Sequence, residues 1–433
     1  MAVLETYLNT LASLRNATVP ETSYYAVLQT LLNDIGAGLR PRVQAVIHLK
    51  DTGAGIPDLG LFDENQPTDQ KPARGIIEAK PVSDDLMQIA QGEQVTRYVA
   101  HYGQALVTNY YQFVLVTRDA QTGLPVIEER YNIAAHANAF WEAVRQPRTL
   151  ARQHETALRE YLMRVMRRNA PLVSAQDVAW ILASYAREAK ARIEADSANL
   201  QALAQIRSQL EVALGVRFED EAAQDFFRST LVQTLFYGLF SAWVLWHEKN
   251  PIPDAKFDLW RDTRRLNIPV ISELFNQFSG GTTLPLSVEQ VLNWTVEALN
   301  RVDRTTFFHE MGYDVGVWGF FNWGDGTKWG SGKDAIQYFY EPFLEAFDPQ
   351  LRRQLGVWYT PREVVQYMVA RVDASLKEDL GIADGLADPN VYILDPCCGT
   401  GAFLVEVLRH IAGTLRKRDG AVLAGQASST GNA

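Results

Sequence analysis

Ile393-Leu394-Asp395-Pro396-Cys397-Cys398-Gly399-Thr400-Gly401-Ala402-Phe403-Leu404 is the stretch on which the reading of this chain turns. The apolar run Val391 to Leu394 predicts a buried strand, the glycines predict a tight turn, and a helix starts just beyond. Glycine at such a turn lets the backbone approach a ligand, because no side chain stands in the way. A dinucleotide fingerprint needs a third glycine in G-x-G-x-x-G spacing, and Leu404 holds that place, which disfavours NAD. Upstream stand Gly356-Val357-Trp358-Tyr359-Thr360-Pro361 and a helix from Arg362. With the sequence stopping at Ala433, a cofactor-binding domain begins here and is not completed on this reading.

A chain of 433 residues with 47% apolar content predicts roughly two to four domains, each able to fill a core. The formal charge of -10 argues against a surface built wholly for nucleic acid, but leaves room for a local basic channel or a cation-screened acidic site. Cys397 and Cys398 are adjacent, so they give neither a disulfide framework nor a zinc spacing, which suits a reducing cytoplasm. Met1 to Asn9 lacks the features of a signal peptide. The most apolar run, Phe236 to Trp246, is too short to span a bilayer and predicts a buried helix, so no membrane partner is expected.

Working back toward the start, residues 334–433 form the third of three expected regions. Residues 147–333 carry helical periodicity in Ala151 to Arg168, Ala175 to Ala195 and Ala198 to Leu214, and predict a helical connector that ends in a Gly/Trp-rich loop from Trp318 to Lys333. Residues 1–146 are mixed. Tyr24 to Ile35 predicts a helix, and Val43 to Leu49, Pro57 to Phe62, Gly75 to Lys80 and Gln112 to Thr117 predict strands. Ser83 is expected to cap a helix with Asp84 and Asp85 in its first turn.

Within that first region Pro57-Asp58 opens one strand and Glu78-Ala79-Lys80 closes the next, across a polar loop from Asp63 to Arg74. Residues two apart on a strand share a face, so Glu78 and Lys80 point the same way, and a neighbouring strand can bring Asp58 beside them. Two carboxylates within reach of one cation make a Mg²⁺ site. Such a cation polarises a phosphoryl group and acidifies water, and an adjacent ammonium stabilises developing charge. Glu-x-Lys also occurs on plain solvated strands. Glu21 at the start of the preceding helix can reach the same cation, although Glu5 is also available, and Gln94 and Tyr98 stand four apart on one face of the following helix.

Taken in this order, Glu21, Pro57-Asp58, Glu78-x-Lys80 and Gln94-xxx-Tyr98 resemble the PD-(D/E)xK nuclease superfamily, in the branch whose helix carries Q-xxx-Y. The resemblance covers about the first 120 residues. It implies that Asp58 and Glu78 bind Mg²⁺ with the Ala79 carbonyl and Glu21, that Lys80 assists the attacking water, and that Gln94 and Tyr98 contact DNA or brace the site.

The D-P-x-x-G-x-G-x-F string with its upstream Tyr359-Thr360-Pro361 resembles adenine-N6 DNA methyltransferases. That implies an S-adenosylmethionine pocket lined by Tyr359, Thr360, Pro361, Asp395, Pro396, Gly399, Gly401 and Phe403. Phe339-Tyr340-Glu341-Pro342-Phe343 and Tyr237-Gly238-Leu239-Phe240 also look like the connector of single-chain restriction-modification enzymes. The N-P-P-(Y/F) loop of such methyltransferases has no counterpart, since Asn250-Pro251 is followed by Ile252-Pro253. Cofactor binding is therefore expected to be weak or lacking, and methyl transfer is not expected from this chain alone.

The fold class implied is α/β: a PD-(D/E)xK nuclease-like domain, an all-helical connector and the start of a Rossmann-like methyltransferase domain. The function implied is that of a type II-like restriction endonuclease, Mg²⁺-dependent, acting on double-stranded DNA in the cytoplasm for defence against foreign DNA. A second chain supplying the rest of the methyltransferase and a target-recognition module is an expected partner. The alternatives are a non-catalytic DNA-binding or assembly subunit of a split system, and an inactive truncated fragment.

Other residues have competing readings. Arg164, Arg167 and Arg168, and Arg416-Lys417-Arg418, suit a DNA channel or a solvated helix face. His101 follows Tyr98 by three and suits the nuclease face or an ordinary surface or core position, and Trp318, Trp323 and Trp329 suit either base stacking or loop packing. Gly330-Ser331-Gly332-Lys333 falls short of a phosphate loop because Asp334 stands where Ser or Thr is needed, so no ATP motor is indicated.

Overall fold

The structure, a computed structural model, describes residues 3–15, 20, 22–119, 122–195, 203–214, 217–250, 252, 255–263, 275, 284–310, 332–349, 360, 362–398 and 401–429. The chain divides into two compact units, Met1–Pro171 and Leu172–Ala433.

The first unit is built on a six-stranded mixed sheet in sequential order β1 to β6. Its elements are α1 (Val3–Arg15), α2 (Thr22–Gly36), β1 (Val43–Ile47), β2 (Leu59–Asp63), β3 (Ile76–Ala79), α3 (Leu86–Ala90), α4 (Glu93–Tyr102), β4 (Gln104–Thr108), β5 (Gln112–Arg118), β6 (Pro125–Asn132), α5 (Ala137–Ala143) and α6 (Pro147–Arg167). All neighbouring strands run antiparallel except β3 and β4, which are parallel. A parallel pair needs a crossover, and α3 and α4 supply it.

Side-chain alternation sorts the sheet into two cores. Leu59, Leu61, Ile77, Ala79, Leu106, Phe113 and Leu115 pack with α1, α2, α5 and α6. Ile76, Ala105, Val107, Val114 and Val116 pack with α3 and α4. At the β1 edge, where backbone groups would otherwise be open to pairing, Asn33 Oδ1 of α2 accepts from Ala45 N at 2.7 Å, and Gln29 Nε2 donates to Ala45 O at 2.9 Å.

Several local expectations change. Asp85, not Ser83, caps α3, accepting from Met87 N at 2.9 Å. That helix is one short turn, and the residues called Q-xxx-Y lie on α4, which restarts after Gly92. The strands β4 and β6 were not expected. β4 is buried on both faces, so it lacks the alternation by which half-exposed strands are recognised. Helix α6 packs in the first core, and the first compact unit runs to Pro171. Arg164 on α6 pairs with Glu129 of β6 at 3.0 Å, both almost fully buried, and Arg168 pairs with Glu128. These two arginines therefore join helix to sheet and are not a free basic face.

The second unit is helical as far as it is described between 172 and 349. Helix Glu221–Lys249 starts at Asp220, whose side chain accepts from Ala223 N at 2.7 Å. It buries Phe236, Phe240 and Trp243, as expected for Phe236 to Trp246, against Phe307, Phe308 and Phe339. Helix Gly332–Phe347, expected to open the third region, contributes Phe339, Phe343 and Phe347 to this same core. Beyond it, helices Arg362–Glu378 and Ala402–Ser429 pack around the turn Gly385–Ala387 with a small core of Val365, Val369 and Leu386. The loop Trp318 to Lys333 falls almost wholly outside the described residues.

Candidate functional site

Strand pairing between β2 and β3 sets Leu59 opposite Ile77 and Gly60 opposite Ile76. Continued by one residue, this antiparallel register sets Asp58 opposite Glu78. Alternation places Glu78 with Ile76 on the α4 side of the sheet, and Asp58 shares that side with Gly60.

The side chains do converge there. Asp58 Oδ2 accepts from Ala79 N at 2.8 Å. Glu78 Oε1 accepts from Lys80 Nζ at 2.7 Å and from Gln94 Nε2 at 2.9 Å. The Gln94 amide also donates to Tyr98 Oη at 3.2 Å, and Tyr98 Oη donates to the Ile56 carbonyl at 3.1 Å. Glu78, Lys80, Gln94 and Tyr98 thus form one hydrogen-bonded chain drawn from a strand end and a helix, and Asp58 joins it through the backbone N–H of Ala79.

Its electrostatics follow from the geometry. Burial, and then the Asp58 carboxylate nearby, push the Glu78 carboxyl up from its ordinary range, while Lys80 and Gln94 counter them. Burial likewise raises the Tyr98 phenol, so it stays a donor. Among the described residues Asp58 Oδ1 and Glu78 Oε2 accept no hydrogen bond. Two hard oxygens left open, on carboxylates that repel one another, fit a divalent cation. Among the described residues no group of three or more His, Cys, Asp or Glu could hold a metal, so the pair needs the Ala79 carbonyl, water or a further ligand. Glu21 lies outside the described residues.

The β1–β2 connection, residues 48–58, adds partners the sequence reading did not assign. Asp51 Oδ1 accepts from Gly53 N and Gly55 N, and Thr52 Oγ1 lies 2.9 Å from Tyr102 Oη and 3.2 Å from His101 Nε2. The signal was available: Tyr102 follows Tyr98 by four on the same helical face, and Gly53 and Gly55 mark a folded loop.

The second candidate site is arranged differently. Val391 to Leu394, expected as a buried strand, pairs with no strand among the described residues, and Tyr392 is 95% and Leu394 86% exposed. A parallel strand exists only by pairing, and apolar sequence cannot replace the partners. Asp395 Oδ1 accepts from Cys397 N at 3.1 Å, and Gly401, with φ 80°, turns the chain into helix Ala402–Ser429. Thr360 and Phe403 are half-buried and Pro396 is exposed, while Tyr359, Pro361 and Gly399 lie outside the described residues. Below the loop, Asp373 ties the region together through Lys377 Nζ at 2.7 Å, Leu386 N at 2.9 Å and His410 Nε2 at 2.9 Å.

Residues 331–432 match the N-6 DNA Methylase family. The chain is also similar to the Type I restriction enzyme EcoEI methylase subunit of Escherichia coli, 38% identical over 72 residues, which are 17% of this chain. It spans only 12% of the length of that relative. No solved structure matches. The molecule is therefore a mixed α/β protein in which residues 331–432 are similar to N-6 DNA methylases, a family for which S-adenosylmethionine is the expected cofactor. Among the described residues no helix is long and apolar enough to cross a membrane.

Proposed function

We propose that the N-terminal unit is a Mg²⁺-dependent DNA endonuclease joined to a methyltransferase-related segment, in a restriction-modification enzyme acting against foreign DNA. The observation that carries this reading is the convergence of Asp58, Glu78, Lys80, Gln94 and Tyr98 on one side of one sheet. Asp58, Glu78 and the Ala79 carbonyl would hold Mg²⁺, with Glu21 as a further ligand. When bound, the cation supplies Lewis acidity toward the phosphoryl group and acidifies a water. Lys80 places its ammonium beside Glu78, where it orients that water and stabilises negative charge on phosphate oxygens. Gln94 fixes the Glu78 carboxylate, and Tyr98 fixes the backbone that leads into Asp58. In the C-terminal segment, Tyr359, Thr360, Pro361, Asp395, Pro396, Gly399, Gly401 and Phe403 are the proposed contacts to S-adenosylmethionine.

Supercoiled plasmid incubated with the chain and Mg²⁺, with and without S-adenosylmethionine, tests the reading. Lys80→Ala and Asp58→Ala should each lower cleavage by about 10²–10³-fold, the usual loss for one electrostatic stabiliser. Equal cleavage by wild type and both variants would indicate contamination and end the proposal.

A second reading, a non-catalytic DNA-binding or assembly subunit, is favoured by the bare apolar segment Tyr392 to Leu394 and by the relative's being a methylase subunit. Under it, Asp58→Ala changes no property of the chain, and mass measured by light scattering rises when the partner polypeptide is added.

A further inference from the structure

The weakest point of the proposed nuclease site is the attachment of Asp58. It lies one residue outside β2, whose pairing with both neighbours begins at Leu59. The strand ladder therefore holds Glu78 firmly, whereas Asp58, apart from the Ala79 N–H that its side chain accepts, depends on the connection 48–58. That connection bends through His48 at φ 60°, Gly53 at φ 114° and Gly55 at φ 96°, conformations the free chain has many alternatives to. The turn around Asp51 is local, with the His101 side chain as an electrostatic neighbour, and Ala54 packs against the α3–α4 core. Two polar attachments tie the connection to α4: Tyr98 Oη to the Ile56 carbonyl, and Thr52 Oγ1 to Tyr102 Oη and His101 Nε2. Tyr102 is itself buried, set edge-on to Tyr98.

We propose that Thr52 and Tyr102 are positioning residues that clamp the connection 48–58 to α4 and so hold Asp58 opposite Glu78. The inference rests on the nuclease reading of the site. Together Gln94, Tyr98, His101 and Tyr102 make one helical face in which Gln94 holds the Glu78 carboxylate directly and the other three hold the strap that delivers Asp58. The clamp spends binding order before the cation arrives, so its loss should appear in cation affinity rather than in the chemistry of a fully loaded site.

Calorimetric titration of Mg²⁺ into the intact chain tests this without relying on cleavage. Thr52→Val keeps the shape and removes the hydroxyl; it should weaken Mg²⁺ binding about tenfold, as should Tyr102→Phe, with Thr52→Ser restoring wild-type affinity. Plasmid cleavage, measured in parallel, should recover in Thr52→Val at high Mg²⁺. Thermal unfolding of each variant separates loss of the clamp from loss of the fold. If wild type binds Mg²⁺ and Thr52→Val binds it equally well, the clamp is wrong and the nuclease reading stands. If wild type itself takes up no Mg²⁺, both fall together.

Discussion

Residues 76–79 and 391–394 are both short apolar segments that carry a candidate site carboxylate or run into one, yet they have opposite fates. Ile76–Ala79 lies between β2 and β4, fully buried, with Glu78 3% exposed. Val391 to Leu394 pairs with no strand among the described residues, with Tyr392 and Leu394 in solvent. The first segment presents a carboxylate in a fixed direction because two neighbours hold its backbone. The second leads into the candidate cofactor loop with no strand neighbour among the described residues to give it a direction. A site motif and an assembled site are therefore different things, separated by strand pairing.

Hydrogen exchange gives the sharpest test of that contrast. Amides of Ile76–Ala79 and Gln104–Thr108 should be protected by at least about 10³-fold, as expected for core strands of a domain of ordinary stability, whereas those of Tyr392 to Asp395 should exchange at nearly unprotected rates. Strong protection in the second set would erase the difference.

The next effect concerns what braces the first region. Arg164→Met leaves Glu129 buried beside an apolar neighbour and should cost about 3–5 kcal/mol in denaturant unfolding of the first unit. Replacing Glu129 as well should restore much of that loss, since two apolar groups in contact need no counter-charge.

Proton competition is smaller. Because burial and Asp58 raise Glu78 above its ordinary 4.5, its folded form holds a proton more tightly than the unfolded chain does. This carboxyl therefore favours folding most at acid pH, and that contribution is lost as pH rises through the raised value. A cation needs the deprotonated form, so Mg²⁺ affinity should fall by up to about tenfold per pH unit as the solution is acidified below that range. A flat affinity across the range would place the cation elsewhere.

In the C-terminal segment the sign reverses. Burial pushes the Asp373 carboxyl up, but Lys377, the Leu386 amide and His410 outweigh it and hold it down at about 2. Its contribution is present above the ordinary 3.8 and is lost as pH falls from there toward 2. Asp373→Asn should destabilise the packing of the two last helices by about 1 kcal/mol at neutral pH, with little further loss on acidification. Circular dichroism against pH, compared with wild type, reads both effects.

How much was legible beforehand follows from the reach of each signal. Helix Ala175–Ala195 and the buried stretch Phe236 to Trp246 were readable because helical periodicity and apolar runs are local. So was the pairing of Glu78 with Lys80, fixed by the two-residue repeat of a strand. β4 and the membership of α6 were not readable, since a strand buried on both faces resembles any apolar run, and no periodicity says which core a helix joins.

By itself the sequence determined which residue types could do chemistry and which face of its own strand or helix each would occupy, because those properties depend on neighbours a few positions away. Tertiary structure alone decided that Asp58 stands opposite Glu78, that Gln94 reaches Glu78 from α4, that Arg164 is committed to Glu129, and that Leu394 meets solvent. Each of these depends on which distant backbone supplies the pairing hydrogen bonds, and strand register is set only when those bonds form.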